Sequence, residues 1–316
     1  MDRATLAFSE AKITAISNSG FKLDLVGSLT GTGPLDALIT FVEPVDVAWQ
    51  GRRIATIALP PVCAAANRGV PDYVTSGNLT ITDQGAFTEF ATYLLHNQAF
   101  DWDISTTKLR VTSLGSDFDN VSLKKTVTLK AFNGLPGVTI SNFELPGDDP
   151  AGGITISTDS LIPSPAQLGI DLGTITFRSY FEDIYVGRKP VTYRAGIVLI
   201  HFAALSSPEV TLAPEATTRT HLSGRIVPQS GSDLDSIGKL FSSFLAGQNQ
   251  TLRVVGESVD PCGCGETVQW LSTAFKTLIL EVTLPGHVYK VPYFLTLTVG
   301  IYVQLPFSDH RVHRNI

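Results

Sequence analysis

The side chains able to do chemistry are few and widely spaced. Six histidines occur, His96, His201, His221, His287, His310 and His313, and no two stand in the HExxH spacing that would put a zinc pair on one helix face. There is no GxSxG elbow, no P-loop and no GxGxxG turn. Asp101 and Asp103 flank Trp102 in a strand-like run, so alternation places both carboxylates on one face, as an acid–base pair requires. Surface acids on a half-buried strand alternate in the same way, and that reading explains them without chemistry. His96 falls at a helix C-terminus, where an imidazolium suits the dipole. The sequence therefore predicts no catalytic residue and no enzymatic activity.

Cysteine, acid and asparagine motifs add little. Cys262 and Cys264 flank a single glycine, a spacing that predicts poor geometry for bridging each other, and Cys63 lies in the other half. Three cysteines form no disulfide framework and supply too few ligands for a metal, so no metal and no cofactor are expected. Asp148 and Asp149, in a Gly/Pro loop, read as solvated turn residues instead of a cation site. Three N-x-S/T sequons make Asn78, Asn120 and Asn249 glycosylation candidates, a mild argument for a secretory compartment.

The totals narrow the class. The chain has 316 residues, 16% charged and 43% hydrophobic, which excludes disorder and coiled coil. Its net charge of −6, with no Lys/Arg cluster among aromatics, excludes nucleic acid as a partner. Short Thr/Val/Ile/Leu runs punctuated by 27 Gly and 18 Pro predict many short strands. The segment MDRATLAFSEAKI lacks the apolar run of a signal peptide, and nothing early in the chain reads as a membrane span. Val291 to Phe307 is uncharged but short for a span, and reads better as a strand pair.

The positioning elements come in two copies. Asp83 to Asn97 and Asp233 to Gly247 carry one pattern at an offset of 150 (237 − 87). Phe87, Phe90, Ala91, Leu94 and Leu95 match Ile237, Leu240, Phe241, Phe244 and Leu245, and the spacing puts each set on one helical stripe. Both copies open on Asp as N-cap and close on a residue tolerant of the left-handed region, Asn97 or Gly247. Ser76-Gly77 precedes the first helix as Ser223-Gly224 precedes the second, and Ile39-Thr40-Phe41 answers Ile175-Thr176-Phe177. After the helices, Val121 to Leu129 and Leu271 to Leu280 both read as strands. The prediction is two domains, residues 1–137 and 138–287, with about seven strands in the first. A poorly matching insert at 188–208 and an atypical tail at 288–316 fit neither copy. Each reads either as a long loop adding a strand or as translated non-coding sequence.

Several motifs together resemble a known group. These are Gly33-Pro34-Leu35, Leu59-Pro60-Pro61-Val62-Cys63, Tyr93-Leu94-Leu95-His96-Asn97, Lys130 to Val138, Pro163 to Gly169 and His221-Leu222-Ser223-Gly224. The sequence resembles a fungal family of uncharacterised vacuolar-membrane proteins related to the late-embryogenesis-abundant type 2 (water-stress and hypersensitive-response) domains. The resemblance covers about residues 5–187 and 209–287. It implies a mainly β chain of two tandem immunoglobulin-like β-sandwiches, each with one amphipathic α-helix. It also implies a vacuole-lumen location behind one N-terminal span. This chain starts after any such span, which leaves a soluble intracellular copy as the alternative. Such domains are thought to bind lipid along an apolar groove. Phe87, Phe90, Leu94, Leu95, Ile237, Leu240, Phe241, Phe244 and Leu245 would then form its wall, and lipid or a membrane surface would be the partner. The leading expectation is a non-enzymatic lipid-binding or membrane-organising module. The alternative is a structural or stress-protective interaction module whose stripes simply fill the cores.

Overall fold

A computed structural model describes residues 4–184, 197–227 and 231–287. The chain is mainly β. Its first half contains β1 (Thr5–Thr14), β2 (Gly20–Thr30), β3 (Ala37–Phe41), β4 (Val45–Trp49), β5 (Arg52–Ala58), β6 (Val62–Ala64) and β7 (Val70–Ile81). Helix α1 (Gln84–His96) follows, then β8 (Ala99–Ser113) and β9 (Ser116–Lys130). The second half contains β10 (Thr139–Glu144), β11 (Ile154–Pro163), β12 (Leu168–Ile184), β13 (Ile197–Leu212) and β14 (Thr217–Ile226). It continues with α2 (Ser232–Leu245), β15 (Gln250–Asp260), α3 (Gln269–Phe275) and β16 (Ile279–Leu284). Strict alternation drives the longer strands: in β7, Tyr73, Thr75, Leu79 and Ile81 are buried while Val74, Ser76, Asn78 and Thr80 are exposed. Gln50 and Gly51 both take positive φ, the two-residue turn that matches strand twist, and so join β4 to β5.

The two halves repeat one strand order. The first runs β1-β2-β7-β5-β4-β8-β9, and the second β10-β11-β14-β13-β12-β15-β16, with every neighbour antiparallel. In each, the helix follows the third strand of that order. Short β3 extends β4 along β8, as β12 runs unbroken along β15. The halves join where β1 and β12 pair in parallel, with Ala11 opposite Leu168. The sheet curls tightly. Phe8 of β1 and Leu109 of β8 line one cavity, although five inter-strand steps would hold flat strands about 24 Å apart. One continuous buried apolar cluster runs through both halves, so the joint is cored like the rest.

The helices differ from expectation in instructive ways. Asp83 does cap α1: its Oδ1 accepts the Ala86 N–H at 2.9 Å, and that bond holds its carboxyl below the usual range. Asn97, however, is extended (φ −101°) and not left-handed; its amide side chain and its backbone N–H both donate to Tyr93 O, which closes the helix end without a turn. Asp233 is not a cap. Gly231 takes that place, and Asp233 and Asp235 sit in the first turn, where negative charge suits the helix dipole. Gly247 does adopt positive φ, +78°. The expected strand over Leu271 to Leu280 is partly wrong. Residues 269–275 form α3, because Trp270, Leu271, Ala274 and Phe275 fall on one helical stripe and are all buried. Of the insert at 188–208, residues 197–208 belong to β13, where they lengthen its hairpin with β12. Residues 185–196 and the tail from 288, with Val291 to Phe307, His310 and His313, lie outside the described residues.

Candidate functional site

Among the described residues, three small apolar cavities lie within the core. The first, about 50 Å³, lies inside the curled first half, among Phe8, Leu25, Ile57, Tyr73, Trp102 and Leu109. The second, about 50 Å³, lies inside the second half, among Ile156, Phe177, Phe202, Leu222, Leu252 and Val282. The third, about 40 Å³, sits beneath α1 at the joint, with walls from both halves that include Phe21, Leu168, Trp270 and Phe275. Trp102 belongs to the walls of both the first and the third. The lining of the first reaches the surface through Leu6, Leu29, Phe41, Leu59 and Leu123, which are half-buried. Leu114, in the β8–β9 turn, and Phe118, just after it, are 82% and 55% exposed, and Leu38 borders the same surface hollow as Leu114.

The predicted groove residues separate into two groups. Phe87, Phe90, Leu94 and Leu95 line the cavity beneath α1. Phe87 and Phe90 are only 2% exposed. Their rings meet Phe21, Trp49, Phe100, Trp102 and Trp270 at centroid distances of 4.9–5.9 Å. On α2, Ile237, Leu240 and Phe244 are buried, Phe241 is half-buried and Leu245 is exposed. The second-half cavity draws its lining from strands and from Val138, not from α2. Asn78, Asn120 and Asn249 are all exposed; Asn249 Oδ1 also accepts the Gly286 N–H at 3.0 Å.

The polar candidates resolve into local bonds. Asp101 and Asp103 do share the outer face of β8, and each accepts a hydrogen bond at 2.6 Å from a threonine on β9, Thr128 and Thr126 respectively. Asp149 Oδ1 accepts the Ala151 N–H at 2.7 Å, which makes it a turn residue. His96 Nε2 lies 2.8 Å from Thr277 Oγ1 and so joins the end of α1 to the segment after α3. Cys63 is free and exposed. Cys262 and Cys264 are bridged, contrary to expectation. Gly263 between them takes φ +65°, a conformation open to glycine that brings both sulfurs to one side of the turn.

Two features escaped the sequence reading. Trp102 Nε1 is buried and finds no hydrogen-bond partner among the described residues. The alternation that sends Asp101 and Asp103 outward already implied an inward Trp102, but not that its N–H would go unmatched. The other is a cluster on the outer face of β11 and β14. Asp159 Oδ2 accepts from Arg219 at 2.7 Å and from Asn142 at 2.8 Å, and Oδ1 lies 3.1 Å from His221 Nδ1. These bonds, Arg219 first, hold the Asp159 carboxyl far below the usual carboxylate range. His221 Nε2 is 3.4 Å from Ser157 Oγ, so the residue types mimic a nucleophile relay. Both flanks of β11 are paired to neighbouring strands, so its backbone offers Ser157 no free pair of donors to meet an oxyanion. The cluster ties strands together electrostatically.

Among the described residues no helix is long and apolar enough to cross a membrane. A family model described as a protein of unknown function (DUF3712) matches residues 52–179, from β5 across the joint into β12. No curated protein matches the chain. Among solved structures, the chain is similar to the BSP domain of a biofilm associated protein, at 8% identity over 89% of this chain and 51% of that one, with a TM-score of 0.17. It thus spans about half of that relative. It is also similar to the B domain of a biofilm associated protein, at 9% identity over 88% and 85% of the two chains, again with a TM-score of 0.17.

Proposed function

We propose that this chain is a non-enzymatic lipid-binding or membrane-organising module, made of two tandem immunoglobulin-like sandwiches of the late-embryogenesis-abundant type 2 kind. The fungal vacuole lumen is the compartment that the sequence resemblance suggests. The observation that carries the lipid reading is Trp102 Nε1. The buried indole N–H of Trp102, a residue only 2% exposed, stands without an acceptor among the described residues in a wall shared by two otherwise apolar cavities. Burying such a donor unmatched costs about 1–3 kcal/mol. A fatty acyl chain with a carbonyl or carboxyl group would supply the acceptor and fill the cavity. At about 50 Å³ the first cavity has room for only a few water-sized groups, so uptake requires its walls to part. The half-buried leucines at its mouth, and the exposed Leu114 and Phe118 beyond, offer an apolar entry facing a membrane.

The test uses the full chain. Material purified from cells is extracted for lipid and analysed by mass spectrometry, and delipidated protein is titrated with a fluorescent fatty acid. Binding is expected, and Trp102→Phe, which keeps most of the ring and removes the donor, is expected to weaken it about 2- to 10-fold. Absence of both co-purified lipid and uptake in vitro would sink the reading. One observation favours the structural or stress-protective alternative: the stripe residues Phe87 and Phe90 are among the largest fully buried side chains of the core. On that alternative no lipid binds, and Trp102→Phe has no binding to weaken.

A further inference from the structure

We propose that Cys262 and Cys264 form a thiol–disulfide exchange site for small thiols of the glutathione class and their disulfides, with Asp260 as its positioning residue. The sulfurs are bridged, and both residues are exposed in the turn between β15 and α3. A bridge closing so short a loop constrains the unfolded chain far less than one closing a long loop. It also joins no two elements, since both cysteines belong to one turn. Its exposure leaves it open to attack by a thiolate from solution, which exchange requires.

Asp260 distinguishes this turn from an incidental bridge. Its side chain is a buried carboxylate at the end of β15. Oδ2 accepts the Gly265 N–H at 2.6 Å, which fixes the group so that Oδ1 lies 3.2 Å from Sγ of Cys262. The carboxylate repels an incoming thiolate from Cys262 and directs attack to Cys264.

The chemistry balances. A thiolate attacks Sγ of Cys264, the S–S bond breaks, and its electron pair leaves on Sγ of Cys262 together with a proton from water, so that no thiolate is left beside Asp260; the new thiol donates its hydrogen to Asp260 Oδ1. A second thiolate attacks the small-molecule sulfur of the mixed disulfide. It releases a small disulfide and leaves Cys264 as a thiolate that solvent protonates. One protein disulfide and two small thiols thus become one protein dithiol and one small disulfide.

The full chain is equilibrated in glutathione buffers from oxidised to reduced, blocked with N-ethylmaleimide and read by peptide mass spectrometry, with Cys63 as the labelled control. Cys262 and Cys264 are expected unlabelled in oxidised buffer and both labelled in reduced buffer, with unchanged far-UV circular dichroism. Cys262→Ser should trap glutathione on Cys264. Cys264→Ser should trap about tenfold less on Cys262, and adding Asp260→Asn should restore it. Labelling without reductant, or reduction only after the chain unfolds, overturns the exchange site. Equal trapping in the two single variants, or no gain from Asp260→Asn, overturns the part assigned to Asp260.

Discussion

The two halves follow one strand order but finish it differently. In the first, β8 turns directly into β9 through a tight turn, and α1 is capped by Asp83 and packed on an aromatic cluster. In the second, α2 has Gly231 as its N-cap and no side-chain capping bond, while the connection from β15 to β16 is expanded into the cysteine turn and α3. That added helix reinforces the joint that β1 and β12 begin. Trp270 packs edge-on against Phe87 at 4.9 Å and donates its N–H to Ser17 O at 3.0 Å, and the Gln269 N–H reaches Asn18 Oδ1 at 2.7 Å. A repeated unit can keep its ladder, which is set by backbone pairing. Here part of the contact between the copies comes from a position where they differ, because α3 has no counterpart between β8 and β9.

The sharpest test of that contrast is truncation of each helix's central aromatic. Phe90→Ala in α1 empties the centre of a ring cluster and is expected to cost about 3–5 kcal/mol in denaturant unfolding. Phe244→Ala in α2, whose ring meets Phe143 at 5.4 Å and His287 at 5.9 Å, should fall at or below the bottom of that range. A larger loss from the second variant would break the contrast.

Matched glycines sharpen it from the side of similarity. Gly77 on β7 and Gly224 on β14 hold the same place in the repeated order, and an added Cβ would strike the carbonyl oxygen of Ala58 or Ala204 on the adjacent strand. Gly77→Ala and Gly224→Ala are each expected to cost about 1–3 kcal/mol, with the second larger because its contact is tighter. If only one lowers the thermal midpoint, the two positions are not equivalent.

The smallest effect is electrostatic and confined to the second half. The folded Asp159 carboxyl titrates below its ordinary value of 3.8, so the stabilisation it brings is complete above that pH and is lost as pH falls towards the folded value. Thermal melts of wild type and Asp159→Asn should therefore differ at pH 6 and converge on acidification below about pH 4. A gap that stays constant to pH 2 would assign the difference to packing.

Much of the local structure was legible. The Asp83 cap, the Gln50-Gly51 turn and the inward stripe of α1 follow from residue types and spacing, because capping, turn dihedrals and helical periodicity are short-range. The common reading of Val121 to Leu129 and Leu271 to Leu280 as strands misled, since the first lies within β9 and the second spans most of α3 and the start of β16. A window from Trp270 to Phe275 is equally apolar as strand or helix, and only its docking against α1 and β15 selects the helix. The bridge between Cys262 and Cys264 depended on one glycine dihedral that no spacing rule reveals.

By itself the sequence determined a mainly β chain, its punctuation and which faces turn inward, since all of these are properties of a few neighbouring residues. Only the tertiary structure decided that the sheet curls, that one core runs through both halves, that Trp102 keeps an unmatched N–H, and that Asp159 gathers three partners. Each of these depends on residues distant in sequence meeting in space, and hydrophobic burial, being non-directional, favours contact without specifying which distant partner will make it.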